Sequence, residues 1–284
     1  MLKITRISFP GLGIDEFSVN TVAFTLFGKE VAWYGVIIAI GMILAVLYTL
    51  YRAKRIGLDW DDVIDFVLFA IPIGVLGARL YYVLTTLDHG YDSFYDVIAI
   101  WEGGLAIYGG IIAGTITVFA VCHFKKIYFP AFADCVVPGL ILAQAIGRWG
   151  NFVNGEAHGG VTDIFCRMGL NNGFTTVFYH PTFLYESLWN IVGFVLINIF
   201  YKHKKYDGQI FLIVFGWYGL GRMWIEGLRT DSLYASIFGL EFRISQIIAA
   251  AILIACLCAL IYFHIKPPKK EFYFKPIKKS GKEA

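Results

Sequence analysis

The fold class this sequence predicts is an all-α polytopic integral membrane protein, with about seven transmembrane helices and a small extracytoplasmic subdomain. Three observations predict it. Of 284 residues, 58% are hydrophobic and only 16% charged, and the mean hydropathy is +0.65, more apolar than a soluble domain of this size. The apolar residues fall in blocks of roughly 20 residues nearly free of charge, the length that crosses a hydrocarbon core of about 30 Å. The basic residues gather near the ends of those blocks instead of forming one basic face.

Taken in order, the blocks predict spans at Val31–Tyr51, Val63–Leu84, Leu105–Phe124, Ala131–Gly147, Tyr185–Tyr201, Gln209–Glu226 and Ile244–Ile265. No apolar stretch precedes Val31, so no cleavable signal peptide is expected and the first span directs insertion. Loops on one side of the membrane carry fifteen Lys and Arg residues against six on the other. The positive-inside rule then places the N-terminus outside and the C-terminus in the cytoplasm. A single transmembrane domain is expected over residues 1–265. Within it the Gly- and Asn-rich segment 149–183 reads as the extracytoplasmic subdomain, and 266–284 reads as a Lys-rich cytoplasmic tail.

Three arginines remain inside or at the edge of apolar blocks: Arg79, Arg148 and Arg222. An ionisable side chain at bilayer depth costs at least a few kcal/mol, so it needs a partner or a polar cavity and is a functional hypothesis by default. In the sixth span Tyr218, Arg222, Glu226 and Arg229 share a helical stripe of roughly 80°. Either a structural ion-pair ladder or one wall of a site produces that pattern. At the end of the fourth span Gly147-Arg148-Trp149-Gly150-Asn151-Phe152-Val153-Asn154-Gly155-Glu156 interleaves four polar residues with glycines. Arg148, Asn151, Asn154 and Glu156 would spread over about 200° of a regular helix, so bringing them together requires a break in the backbone. A plain surface loop explains the Gly and Asn but not an arginine beside a tryptophan at the membrane edge. The third cluster, Trp101 to Gly110, brings Tyr108 to membrane depth, while Gly109, Gly110 and Gly114 read as helix-packing positions. Trp33-Tyr34-Gly35 reads first as an aromatic belt, and His180-Pro181 as the turn that starts a helix.

What is missing narrows the chemistry. The sequence has no Walker A loop, dinucleotide fingerprint, HExxH or GxSxG. Its five cysteines form no CxxC pair and no ligand spacing with the six histidines, so neither a metal nor a cofactor is implied. A net charge of +3 gives no ground for nucleic-acid binding.

With those residues in view, the chain resembles the bacterial prolipoprotein diacylglyceryl transferases. Gly147 to Glu156 looks like that family's signature, and Trp33-Tyr34-Gly35, Gly103 to Gly110, His180-Pro181 with Leu184-Tyr185-Glu186, and Tyr218 with Arg222, Glu226 and Arg229 follow in the family's order. The resemblance implies a multi-pass enzyme of the bacterial cell membrane. Such an enzyme moves the diacylglyceryl group of phosphatidylglycerol to the cysteine thiol of a prolipoprotein signal peptide and releases glycerol phosphate. It implies phosphate-binding roles for Arg148 and Arg222, with Asn151, Asn154, Tyr34 and Tyr218 on the lipid. Glu156 and Glu226 would orient the arginines or receive a proton. Some family members have histidine where this chain has Tyr108, and a phenol of pKa near 10 is a poor base. Tyr108 is therefore expected to donate a hydrogen bond to the lipid head-group or to Arg222. Two other classes compete: a transporter or channel with an intramembrane Arg/Glu site, and an intramembrane aspartyl protease, whose candidate aspartates would be Asp65 and Asp134.

Overall fold

The computed structural model describes residues 4–89, 91, 93–230, 234–237, 240–266 and 268. The 266–284 tail anticipated above therefore lies almost wholly outside the described residues. Among the described residues, six helices are long and apolar enough to cross a membrane. These are α1 (Trp33–Ala53), α2 (Trp60–Thr85), α4 (Ile107–Lys125), α5 (Phe129–Asn154), α6 (Thr182–Phe200) and α8 (Ile244–Ile265). A short α3 (Phe94–Ile98) precedes α4, and α7 (Gln209–Glu226) occupies the place of the seventh expected span. α7 is not among the six apolar helices, and the Arg222 and Glu226 that it carries in its last turns are the physical reason. The chain is thus an all-α multi-pass membrane protein with a small sheet region. It divides into two compact units, the described residues of 1–48 with 133–270, and those of 49–132.

In the second unit α2 and α4 lie side by side through small residues. A side chain at Gly109 would collide with the Gly77 carbonyl and Tyr81, and one at Gly110 would sit 3.4 Å from the Gly74 carbonyl, as close helix contact requires. Lys125 Nζ ends α4 by pairing with Asp62 Oδ1 at 2.8 Å and with Asp65, so Asp65 is held in a structural ion pair.

The first unit contains the strands. A four-stranded antiparallel sheet runs in the order β2-β1-β5-β6, from β1 (Ile4–Phe9), β2 (Ile14–Asn20), β5 (Met168–Asn171) and β6 (Thr176–Tyr179). Hairpins β3 (Val22–Leu26) with β4 (Lys29–Ala32), and β7 (Tyr234–Ile237) with β8 (Leu240–Arg243), flank helices α1 and α8 in the chain. Sequence pattern alone predicts no strands before Val31. They form because Ile7 and Phe9 alternate with Arg6 and Ser8, and the two apolar side chains bury against Met168 and Phe183 with Phe152 beside them.

Helices α6 and α7 are joined by a reciprocal tryptophan contact. Trp189 Nε1 donates to the Trp217 carbonyl and Trp217 Nε1 to the Trp189 carbonyl, each at 3.1 Å, with the indoles stacked at 4.3 Å. Gly193 lies against the Trp217 indole and Gly221 against that of Trp189, and a Cβ at either glycine would collide with the ring. At the opposite end of α7, Asp134 is fully buried and satisfied. It accepts from the amides of Gly208 (2.8 Å) and Phe211 (2.7 Å) and pairs with Lys204 at 2.9 Å. Burial works against the Lys204 ammonium, but the charges of Asp134 and Asp207 outweigh it and hold Lys204 above its ordinary range.

Candidate active site

The first unit gathers most of the anticipated site residues at the end of α5, the start of α6 and the end of α7. α5 runs on to Asn154 instead of ending at Gly147, so Arg148, Asn151 and Asn154 stand on successive turns of one continuous helix. The backbone break comes after them. Gly155 has φ +65°, which reverses the chain and returns Glu156 over the last turn, its amide donating to the Asn151 carbonyl at 3.0 Å. Glu156 Oε1 then accepts from Asn151 Nδ2 (3.2 Å) and Asn154 Nδ2 (3.1 Å). Asn154 Oδ1 is buried and has no hydrogen-bond partner among the described residues.

Glu186 organises the centre. Arg148 Nη2 pairs with Glu186 Oε1, and Arg222 Nη1 approaches Glu186 Oε2 at 3.5 Å. Arg222 Nη2 pairs in turn with Glu226 Oε2 at 2.6 Å, the i,i+4 contact that the α7 stripe predicts. Arg148 also donates to Asn151 Oδ1 at 3.2 Å. A single chain of polar contacts thus runs Glu156, Asn151, Arg148, Glu186, Arg222, Glu226. The side chains of the two carboxylates that flank Arg222 are nearly inaccessible, 7% for Glu186 and 2% for Glu226, whereas those of Arg148 and Arg222 keep 22% and 18% of their surface. The carboxylates are embedded and the cations face outward from them, an arrangement suited to holding an anion.

Backbone and aromatic contacts fix these elements. Trp149 Nε1 donates to Ser187 Oγ at 3.2 Å, and Ser187 Oγ to the Ala145 carbonyl at 2.9 Å, which ties α5 to α6. The turn at Gly159 and Gly160 exchanges backbone bonds with His180, and the Gly160 amide donates to the Leu228 carbonyl at 2.8 Å, so the signature segment is stitched to the start of α6 and the end of α7. His180-Pro181 does begin α6, with Pro181 at the N-cap.

The Tyr34 ring packs on Gly150 within the signature, where an added Cβ would lie 2.8 Å from the ring. Tyr218 sits one turn before Arg222 on α7 and is half-buried. Arg229 leaves the helical stripe, because α7 ends at Glu226 and Arg229 instead bridges to Gly159 as a strand-like pair. Tyr108 belongs to the second unit, in the first turn of α4, and is 43% exposed. Glu186 was not singled out from the sequence, although it is the only charged residue in α6 and the rule applied to the arginines would have selected it. Among the described residues no group of three or more His, Cys, Asp or Glu side chains is placed to hold a metal ion.

Similarity to known proteins covers most of the chain. A family profile described as prolipoprotein diacylglyceryl transferase matches residues 21–262. A phosphatidylglycerol–prolipoprotein diacylglyceryl transferase from Clostridioides difficile is 42% identical over 87% of this chain and 97% of its own length. One from Listeria welshimeri is 42% identical over 88% and 92%, and one from Clostridium perfringens is 44% identical over 89% and 97%.

Proposed function

Because the chain belongs to the prolipoprotein diacylglyceryl transferase family, we propose that it carries the diacylglyceryl group of phosphatidylglycerol to the cysteine thiol of a prolipoprotein signal peptide, forming a thioether and releasing glycerol phosphate. The observation that carries this reading is the bridge of Arg148 and Arg222 on the buried Glu186 carboxylate. In the reaction the cysteine sulfur, its thiol proton released to solvent, bonds to the glycerol carbon, and the bond from that carbon to the phosphate ester oxygen breaks. The electron pair of that bond leaves on the phosphate oxygen. A diester thereby becomes a monoester, and negative charge grows where two guanidinia can receive it. Donors aimed at developing charge in a water-poor site are the strongest contribution an enzyme makes to such a step.

The remaining assignments follow the same chemistry. Asn151 and Asn154 bond the glycerol head-group, and the partnerless Asn154 Oδ1 supports this for a ligand rich in hydroxyl donors. Tyr34 and Tyr218 flank the lipid, Glu226 orients Arg222, and Glu156 orients the asparagines. The thiol, with a pKa near 8.5, is a few per cent thiolate at neutral pH, and the arginine pair favours that form. Tyr108 donates to the lipid head-group. The site faces the outer half of the cell membrane, with the N-terminus outside and the C-terminus cytoplasmic, as the fifteen-to-six division of basic residues supports. A reporter fused after Lys266 should then be cytoplasmic and one near Arg167 external, and the reverse pattern would overturn this orientation.

The transporter or channel reading is not favoured, because the family's chemistry is covalent transfer. Incubating the purified protein with phosphatidylglycerol and a cysteine-containing signal peptide decides between them. A gain of one diacylglyceryl mass on the peptide is expected. Solute flux in liposomes with no covalent product would sink the transferase reading.

A further inference from the structure

Arg79 on α2 is the third arginine of the apolar blocks, and the arginine pair of the first unit leaves it unexplained. It is 8% exposed and its donors go to backbone. Nε donates to the Val97 carbonyl at 2.8 Å, Nη1 to Gly103 at 2.8 Å and Gly104 at 3.0 Å, and Nη2 to Asp96. Those four carbonyls lie at the two ends of the segment that runs from α3 to α4. The neighbouring residue continues the same grip, for the amide of Ala106, the N-cap of α4, donates to the Ala78 carbonyl at 3.0 Å. Gly104 has φ +69°, and a Cβ there would strike both Arg79 Nη1 and the Tyr82 ring, so the segment is closed onto the guanidinium from its own side as well. The Tyr82 ring lies 5.6 Å from the Arg79 guanidinium carbon.

We propose that Arg79 is a positioning residue that sets Tyr108 by clamping the segment Asp96–Gly104 and the first turn of α4 to α2. Tyr108 follows the N-cap by two residues, so its backbone is fixed by the bonds that fix Ala106 and Gly104. The inference rests on the reading that Tyr108 meets the lipid during transfer. Arginine is the side chain this task requires. Its planar fork directs five N–H donors along separate vectors, whereas a lysine ammonium has three donors on one atom and cannot serve carbonyls arriving from both ends of a segment. A carbonyl left without a donor in apolar surroundings draws in water or moves to find another partner.

The test combines amide hydrogen exchange with steady-state transfer for Arg79→Lys, Gly104→Ala, Tyr108→Phe and the two doubles carrying Tyr108→Phe. Exchange in peptides covering residues 94–110 should quicken about ten-fold or more in Arg79→Lys, while peptides from α5 to α7 keep their wild-type rates. Transfer should show kcat lowered about ten-fold with KM for phosphatidylglycerol within about two-fold, because the aim of one donor in the transition state is disturbed. Gly104→Ala disturbs the same contact without altering α2 and should reproduce both effects. In the Tyr108→Phe background either change should cost less than about two-fold more, since the group being aimed is gone. Unchanged exchange at 94–110 in both variants overturns the clamp whatever the activity does. Losses that multiply in the doubles overturn the link to Tyr108. A wild type that makes no thioether fails the transferase reading instead, and the exchange measurement then still decides the clamp.

Discussion

Arg79 in the second unit and the Arg148–Arg222 pair in the first carry the same side chain within apolar helices, yet their acceptors differ in kind. Arg79 gives four hydrogen bonds, all to backbone carbonyls of one segment. Among the described residues Arg148 and Arg222 each make two contacts, and these go to the carboxylates of Glu186 and Glu226 and to the Asn151 amide oxygen. A guanidinium offers five N–H donors, so Arg79 has most of its donors engaged while each member of the pair keeps more than half. Depth in the membrane raises a functional hypothesis for all three. The acceptors separate them: neutral carbonyls of the chain's own backbone fix a segment, whereas embedded carboxylates aim cations whose other donors suit an anion.

That contrast breaks most readily at Arg222. Arg222→Lys keeps the charge and loses the planar fork, and we expect transfer to fall by about 100-fold or more with folding retained. Activity within a few-fold of wild type would remove Arg222 from the phosphate site. Glu186→Gln comes next, because one uncharged amide then stands between two cations. A loss of about ten- to 100-fold in kcat is expected, together with a lowered unfolding temperature, since removing one partner of a buried ion pair leaves charge uncompensated. A variant that loses stability but keeps its kcat would make Glu186 purely architectural.

Tyr108→Phe should cost about ten-fold, the worth of one well-aimed hydrogen bond, and leave the pH–rate profile in place. Profiles for wild type, Tyr108→Phe and Tyr108→His are the measurement, and a limb that follows the side chain toward the imidazole range near pH 6.5 would identify a base and sink the donor assignment. The smallest effect is expected at the Asp134 cluster. Lys204 is held above its ordinary pKa near 10.5, so the stability it supplies is complete below that value and is lost as pH rises through the raised one. Thermal unfolding followed from pH 9 to 11.5 should therefore show a steeper decline for wild type than for Lys204→Gln. Parallel declines would show that the pair contributes nothing through its charge.

The helices were legible because each is written in local pattern. The helices expected at Gln209–Glu226 and Ile244–Ile265 coincide with α7 and α8, since charge and loop residues bound both runs sharply, although α7 falls short of the other long helices in apolarity. The Arg222–Glu226 contact was legible for the same reason, being one helical turn. What escaped depends on pairing between distant segments. β1 meets β5 across more than 150 residues, Arg6 opposite Asn171, and nothing within either short run names its partner. Glu186 escaped differently, by being read as part of a run of letters when its solitary charge on α6 was the informative fact. The reversal at Gly155 is expected as a break within the segment but is assigned to no one glycine, because Gly147 and Gly150 are equally permissive in sequence and the helix passes through both.

The reciprocal contact of α6 and α7 limits how these helices can vary over evolutionary time. Each tryptophan donates to the carbonyl of the other, and each lies against a glycine on the facing helix, one turn beyond that helix's own tryptophan. A larger residue at Gly193 or Gly221 collides with an indole, and a smaller one at Trp189 or Trp217 opens a void and removes a donor. No one of the four positions can change alone without loss, so drift here requires concerted replacement at positions on both helices. Glu186 lies just before Trp189 and Arg222 just after Gly221, so lineages that retain this quartet also inherit a fixed register between a carboxylate and its guanidinium.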